Sequence, residues 1–218
     1  GTVEVQILAL NDFHGNLLPP GKSVGGVEYL AAHIDNLRQL NPNTVVVSAG
    51  DLIGVSPLLS ALFHDEPTIQ AFNLIGLDFS AVGNHEFDEG VHELLRMQAG
   101  GCHPVDGCKD GDGFEGADFP YLAANVTWKD NNKPIFPAYK TRTFQGVPVA
   151  FIGVTLEGTP TLVKADISEV NFLDEAEAVV QRLEAQGLGV DGEVRPLEVG
   201  GEDLLGEVAS EEGRNDVG

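Results

Sequence analysis

Basic residues are scarce in this sequence. Twelve lysines and arginines stand against 34 acids, a formal net charge of −22. Such a balance leaves no basic face for a phosphate backbone, so no nucleic-acid polymer is expected as a partner. A small anion would need local cations, which bound metal ions supply. Long apolar runs are also lacking. No run of about 18 apolar residues exists, so no membrane span is expected. Gly1 runs almost directly into a strand-like segment with no basic, apolar leader before it, as in a mature or trimmed chain. Internal repeats are absent too.

Cysteine is limited to Cys102 and Cys108, in a Gly/Asp-rich stretch reading Gly-Gly-Cys-His-Pro-Val-Asp-Gly-Cys-Lys-Asp-Gly-Asp-Gly. Zinc held by cysteine pairs needs closer spacing and a second pair, and neither is present. A small disulfide-closed surface loop suits these residues better than two free thiols. It would place the chain outside the cytosol.

What is present is an ordinary globular content, 42% apolar, with clear periodicity. Val3 to Leu10 reads as a strand. Gly26 to Leu40 reads as a helix, with Val27, Leu30, Ala31, Ile34 and Leu37 at helical spacing. Thr44 to Ala49 is a β-branched run typical of a buried strand. Thr68 to Ile75 is helical, Asp78 to Val82 a strand, and Val91 to Met97 helical again. This alternation predicts an α/β architecture with parallel pairing. Beyond the loop from Gly100 to Gly116, strands are expected over Tyr121–Val126, Ile135–Phe144 and Val147–Val154, with a hairpin turn at Gln145-Gly146. Asp174 to Gln186 reads as a helix capped by Gly187. The last 32 residues hold eight glycines and nine acids, which predicts a poorly ordered acidic tail.

Three polar motifs follow the first three strands: Asp12-Phe13-His14, Gly50-Asp51, and Gly83-Asn84-His85-Glu86-Phe87-Asp88. In a parallel sheet the C-terminal strand ends gather at one edge, so motifs far apart in sequence meet there. Asp12 and His14 are two apart, which in an extended segment puts both side chains on one face. A carboxylate and an imidazole together suit a divalent ion such as Zn, Mn or Fe. Asp51 has two oxygens and can bridge two metals. Asn84 offers a neutral amide oxygen. Two ions about 3.5–4 Å apart would clamp a phosphate and make hydroxide from bound water. His85 is placed to reach the substrate, and Asp88 to hydrogen-bond its ring and favour the imidazolium.

Each motif alone has a plainer origin: an Asp-x-His is usually a turn, and a Gly-Asp after a strand is commonplace. Their order, each behind a strand, is what points to metal. His33 and His92 read as surface histidines of amphipathic helices, His64 as a helix-end residue, and His103 as solvated in the cysteine loop. Asn125-Val126-Thr127 fits a glycosylation acceptor, a pattern that arises easily by chance.

Asn11-Asp12-Phe13-His14-Gly15, Ala49-Gly50-Asp51 and Gly83 to Asp88 closely resemble the calcineurin-like metallophosphoesterases, in particular the secreted 5′-nucleotidase branch. Phe119 to Val126 and Phe151-Ile152-Gly153-Val154-Thr155 fit that branch too. The resemblance implies a four-layer αββα sandwich with metals at the strand ends. It implies Asp12, His14 and Asp51 on one ion, Asp51 and Asn84 on the other, and His85 with Asp88 as the catalytic pair. The two ions would be Zn, Mn, Co or Fe, and the substrate a nucleotide or other small phosphoester, hydrolysed by metal-bound hydroxide. The chain would be secreted, periplasmic or on the cell surface.

The resemblance also implies histidines after the last predicted helix that complete both metal sites, and a second domain that binds the base. This chain has no histidine after His103. Residues 1–187 therefore read as the front portion of such a domain, truncated, and 188–218 as an appended acidic tail. An inactive or non-catalytic form of the same fold is the alternative this implies.

Overall fold

The computed structural model describes residues 2–19, 21, 24–109, 111 and 113–185. The expected tail at 188–218, the Gly187 cap and the last residue of the final helix lie outside the described residues. The first half is a repeated strand–helix alternation. Strand β1 (Gln6–Leu10) leads to helix α1 (Val27–Leu40), β2 (Thr44–Ser48), the short α2 (Leu58–Ala61), α3 (Glu66–Ile75), β3 (Phe79–Ala81) and α4 (Val91–Ala99). With β4 (Tyr121–Leu122) these strands form one sheet in the order β1-β2-β3-β4, every pair parallel. Sequential parallel pairing puts all four C-terminal strand ends on one edge, where the polar motifs were expected.

The β2 run Thr44-Val45-Val46-Val47-Ser48 is almost wholly buried, as its β-branched composition requires. Alternation along the strands separates two faces. Leu8, Leu10 and Val46 pack into the main core with Ile34, Ile69 and Phe72 of the helices. Ala9, Val47, Phe79 and Ala81 face the other way, towards Phe151 and Ile152, and the rings of Phe79 and Phe151 lie 5.1 Å apart.

Phe151 and Ile152 belong to a hairpin of β6 (Tyr139–Phe144) and β7 (Val147–Ile152), which follows β5 (Val126–Trp128). Gln145 and Gly146 both have positive φ, +48° and +89°, the geometry of the tight turn expected there. Strand β8 (Val170–Phe172) pairs antiparallel with β5, and α5 (Glu175–Ala185) follows. The arrangement is a mixed α/β fold, helices against a parallel sheet with further strands on its other face.

Three expectations needed correction. Strand β1 begins at Gln6 rather than Val3. The single strand expected over Tyr121–Val126 is two, β4 in the parallel sheet and β5 paired elsewhere. The break is made by Asn125, which is completely buried. Its amide donates to the carbonyls of Thr155 (2.6 Å) and Leu173 (2.9 Å) and accepts from the Thr155 N–H (2.8 Å). A side chain so engaged cannot carry a glycan in the folded protein. Of the strand expected over Ile135–Phe144, Ile135 and Phe136 instead fill the core ahead of β6.

Candidate active site

Three loops meet at the strand ends. The first, after β1, is laced to the second by backbone hydrogen bonds from Asp12 N–H to Gly50, His14 N–H to Asp51 and Gly15 N–H to Leu52, at 3.0–3.2 Å. Phe13 turns inward and meets the Phe72 ring edge-on at 5.0 Å. The extended segment expected from the spacing of Asp12 and His14 is not what forms. Asp12, His14 and Asp51 all sit at left-handed φ, +52°, +47° and +53°. Non-glycine residues hold that conformation only where their surroundings impose it, and such positions cluster at functional sites.

The third loop, after β3, carries Asn84 and a single 3-10 turn, His85–Phe87. Phe87 is fully buried and packs on Phe172 at 5.1 Å. Gly50 and Gly83 let this loop touch the second one. A Cβ on Gly83 would lie 2.1 Å from Asp51 Oδ1, and one on Gly50 would lie 2.4 Å from the Gly83 nitrogen.

Glu86 locks the contact. It is buried, and its carboxylate accepts from the N–H groups of Asp51 (2.8 Å), Leu52 (2.8 Å) and Gly83 (2.7 Å). Burial pushes its pKa up to about 7, against those three hydrogen bonds. Sequence reasoning gave Glu86 no role. The available signal was an acid lodged between Val82 and Phe87, two residues bound for the core.

Among the described residues, His14, Asp51 and His85 each present a ligand atom within 4.8 Å of the others. The His14 and His85 rings meet edge-to-face at 4.9 Å. Asp12 is largely exposed, and its Oδ1 lies 3.7 Å from His14 Nε2. His14 Nδ1 lies 2.8 Å from the Gly54 carbonyl, which can only accept, so Nδ1 holds the proton and Nε2 keeps its lone pair. Asp51 Oδ1 takes the His85 N–H at 2.9 Å. Asn84 is half-buried at the start of the turn, directly before His85.

His85 Nδ1 lies 2.8 Å from Asp88 Oδ2. Burial of the ring opposes its charge, but the hydrogen bond and charge of Asp88, with Asp51 and Glu86, outweigh it and raise the His85 pKa. Of the remaining histidines, His33 and His92 are exposed, as expected. His103 is not free in solvent. The Cys102–Cys108 disulfide closes its loop, and its ring stacks on His64 at 3.8 Å.

The model of the calcineurin-like phosphoesterases matches residues 5–186, most of the chain. The chain belongs to this family. Among its relatives, an uncharacterized protein in the pqq-V 5′ region of Acinetobacter calcoaceticus is 51% identical over 163 residues, 66% of this chain and 80% of that one. The endonuclease YhcR of Bacillus subtilis is 40% identical over 189 residues, 81% of this chain but 15% of its own length. A 5′-nucleotidase of Vibrio parahaemolyticus is 30% identical over 177 residues, 79% of this chain and 29% of that enzyme. The solved 5′-nucleotidase precursor of Thermus thermophilus superposes with a TM-score of 0.66 at 25% identity, over 84% of this chain and 35% of that one. The phosphoesterase chain thus spans about a third or less of these last three relatives.

Calcineurin-like phosphoesterases use a dinuclear metal centre, and the chain brings together candidate ligand groups for such a centre at His14, Asp51 and His85. The donor set is nitrogen and oxygen, which suits Zn, Mn, Co or Fe. His14 is already held in the tautomer that ligation at Nε2 needs, by an outer carbonyl, as metal-bound histidines are.

Proposed function

We propose that this phosphoesterase domain belongs to a metal-dependent hydrolase of 5′-nucleotidase type, which releases phosphate from nucleotides or related small phosphoesters outside the cytosol. The observation that carries the reading is the convergence of His14, Asp51 and His85 at the strand ends, with His85 backed by Asp88. Asp12, His14 and Asp51 would hold one ion, and Asp51 with Asn84 the other. Such ions, when bound, polarise phosphoryl oxygens and acidify a coordinated water.

The chain's own residues supply the rest. The Glu86 brace fixes Asp51 before any ion arrives. His85 Nδ1 is tied to Asp88, so its other nitrogen is left to face a phosphate. The hydrogen bond and charge of Asp88 favour the protonated ring, the form that can hydrogen-bond the phosphate and give a proton to the leaving oxygen. The disulfide supports a location outside the cytosol.

A second reading concerns these 218 residues taken alone. The four ligands begin two metal sites, and no histidine follows His103 to complete them. AMP hydrolysis by this chain is therefore expected to be weak and to depend on added Mn, Zn or Co. It should fall in Asp51→Asn through loss of metal. In His85→Asn it should fall by roughly a hundredfold or more with metal retained. Robust hydrolysis surviving both substitutions would overturn the assignment. Cleavage of a DNA oligonucleotide in place of AMP would overturn the substrate class.

A further inference from the structure

We propose that Asp65 is a positioning residue. It holds Gly54 so that the Gly54 carbonyl keeps His14 in its metal-binding form, beside the His85–Asp88 pair. His14 Nδ1 meets that carbonyl at 2.8 Å, and Asp65 Oδ2 accepts from the N–H of the same residue at 3.2 Å. Fixing the N–H fixes the direction in which the carbonyl points. The role rests on His14 being a metal ligand, as proposed above.

Gly54 needs such a hold. It is buried, at a φ of +82°. A side chain is excluded there, because a Cβ would lie 2.5 Å from the His85 carbonyl oxygen and 2.7 Å from Asp88 Oδ2. Only glycine fits, and glycine has the most freely moving backbone. Val55, the next residue, gives no anchor. It is 74% exposed and sits at a φ of +50°, a conformation that a β-branched residue does not hold unaided. Ser56 Oγ adds only a long contact of 3.4 Å to the Gly54 carbonyl. One mobile residue thus touches His14 on one side and the His85–Asp88 pair on the other, and its restraint comes from Asp65.

Asp65 serves Gly54 rather than its own helix. It stands at the N-cap of α3, where an aspartate ordinarily accepts from an N–H of the first turn. Its side chain makes no such bond. His64 and Asp65 instead take two successive left-handed φ values, +51° and +61°, and the carboxylate reaches back to Gly54. Strain of this kind persists where the surroundings impose it, and it gathers at functional sites. Asp65 is 7% exposed, and its other oxygen, Oδ1, has no hydrogen-bond partner among the described residues. An aspartate kept for stability alone would cap α3 or face water. Here a cap bond is forgone and a buried carboxylate oxygen is left unpaired, two costs that the hold on Gly54 accounts for.

Nitrogen NMR of the imidazoles in the full, metal-free chain, recorded above the ordinary histidine pKa, reads the tautomer directly. His14 should carry its proton on Nδ1. A proton on Nε2 would overturn the proposal with no substitution made. Asp65→Gly removes the carboxylate yet tolerates the positive φ. It should return His14 to a mixture of tautomers and weaken zinc binding at His14 Nε2 by roughly tenfold or more. Asp65→Asn keeps an acceptor oxygen and also tolerates that φ, so it should restore both. Two results would refute the role of Asp65. One is an Asp65→Gly chain, its core methyl spectrum unchanged, in which His14 stays wholly protonated at Nδ1. The other is an Asp65→Asn chain that behaves like Asp65→Gly. A tautomer that follows Asp65 in a chain taking up no zinc would uphold the hold on His14 and count against the metal-dependent function.

Discussion

Glu86 shows how one side chain can set a site without touching a ligand's own polar head. Three backbone N–H groups from two loops end on its carboxylate. Replacing it by alanine strands all three in the interior, at a cost on the order of 3 kcal/mol or more. Urea denaturation of Glu86→Ala should show that loss together with weaker metal retention. A change below about 0.5 kcal/mol would mean that the loops hold each other without it. Gly83→Ala should act on Asp51 directly, since its new methyl group would collide with Asp51 Oδ1. Metal retention should drop there and stay unchanged in Gly21→Ala, where a Cβ meets nothing within 4 Å. At this scale the sequence pointed to Asp, His and Asn because those residues behind successive strands have few other uses in that order, and the structure brings His14, Asp51 and His85 together. It could not reveal the left-handed φ of Asp12, His14 and Asp51, which backbone bonds between distant loops impose.

Among the elements, α3 and α4 are joined by a buried ion network. Arg96, 8% exposed, contacts Glu66 and Glu93 and also donates to the Gly101 carbonyl at 2.7 Å. Removing the arginine leaves the buried Glu66 uncompensated. Arg96→Ala is expected to destabilise by about 3–5 kcal/mol, while Glu66→Leu with Arg96→Met recovers part of the loss. Thermal unfolding of the three proteins checks it, and a double variant no better than Arg96→Ala would refute the account. Periodicity located α1, α3, α4 and α5 because each has an apolar stripe. It missed β8, whose three residues Val170-Asn171-Phe172 are too few to show a period. It fused β4 with β5 because a fully buried asparagine looks, in sequence, like any polar residue in a strand.

For the whole molecule, the four parallel strands in sequential order did most to make the site legible. Once alternation fixed the sheet, the motif-bearing loops had to share an edge. The stacking of His64 on His103 was illegible for the opposite reason, since only a disulfide loop folding back over α4 brings the two rings together. The net charge of −22 also acts at this scale. Without added metal the chain should not retard a duplex DNA fragment in a mobility assay, even at low salt where electrostatic binding is strongest. Retardation under those conditions would show a basic face that the composition does not provide.

The buried Asn125 has a practical consequence for making the protein. A eukaryotic secretory host presents Asn-x-Thr triplets to its glycosylation machinery while the polypeptide is still emerging, before Asn125 has found Thr155 and Leu173. A sugar attached at that moment would occupy the place of three core hydrogen bonds and keep Asn125 from Thr155 and Leu173. Expression in bacteria avoids the conflict, whereas yeast or mammalian secretion should give a glycosylated, misfolded fraction that an enzyme removing N-glycans cannot rescue without refolding.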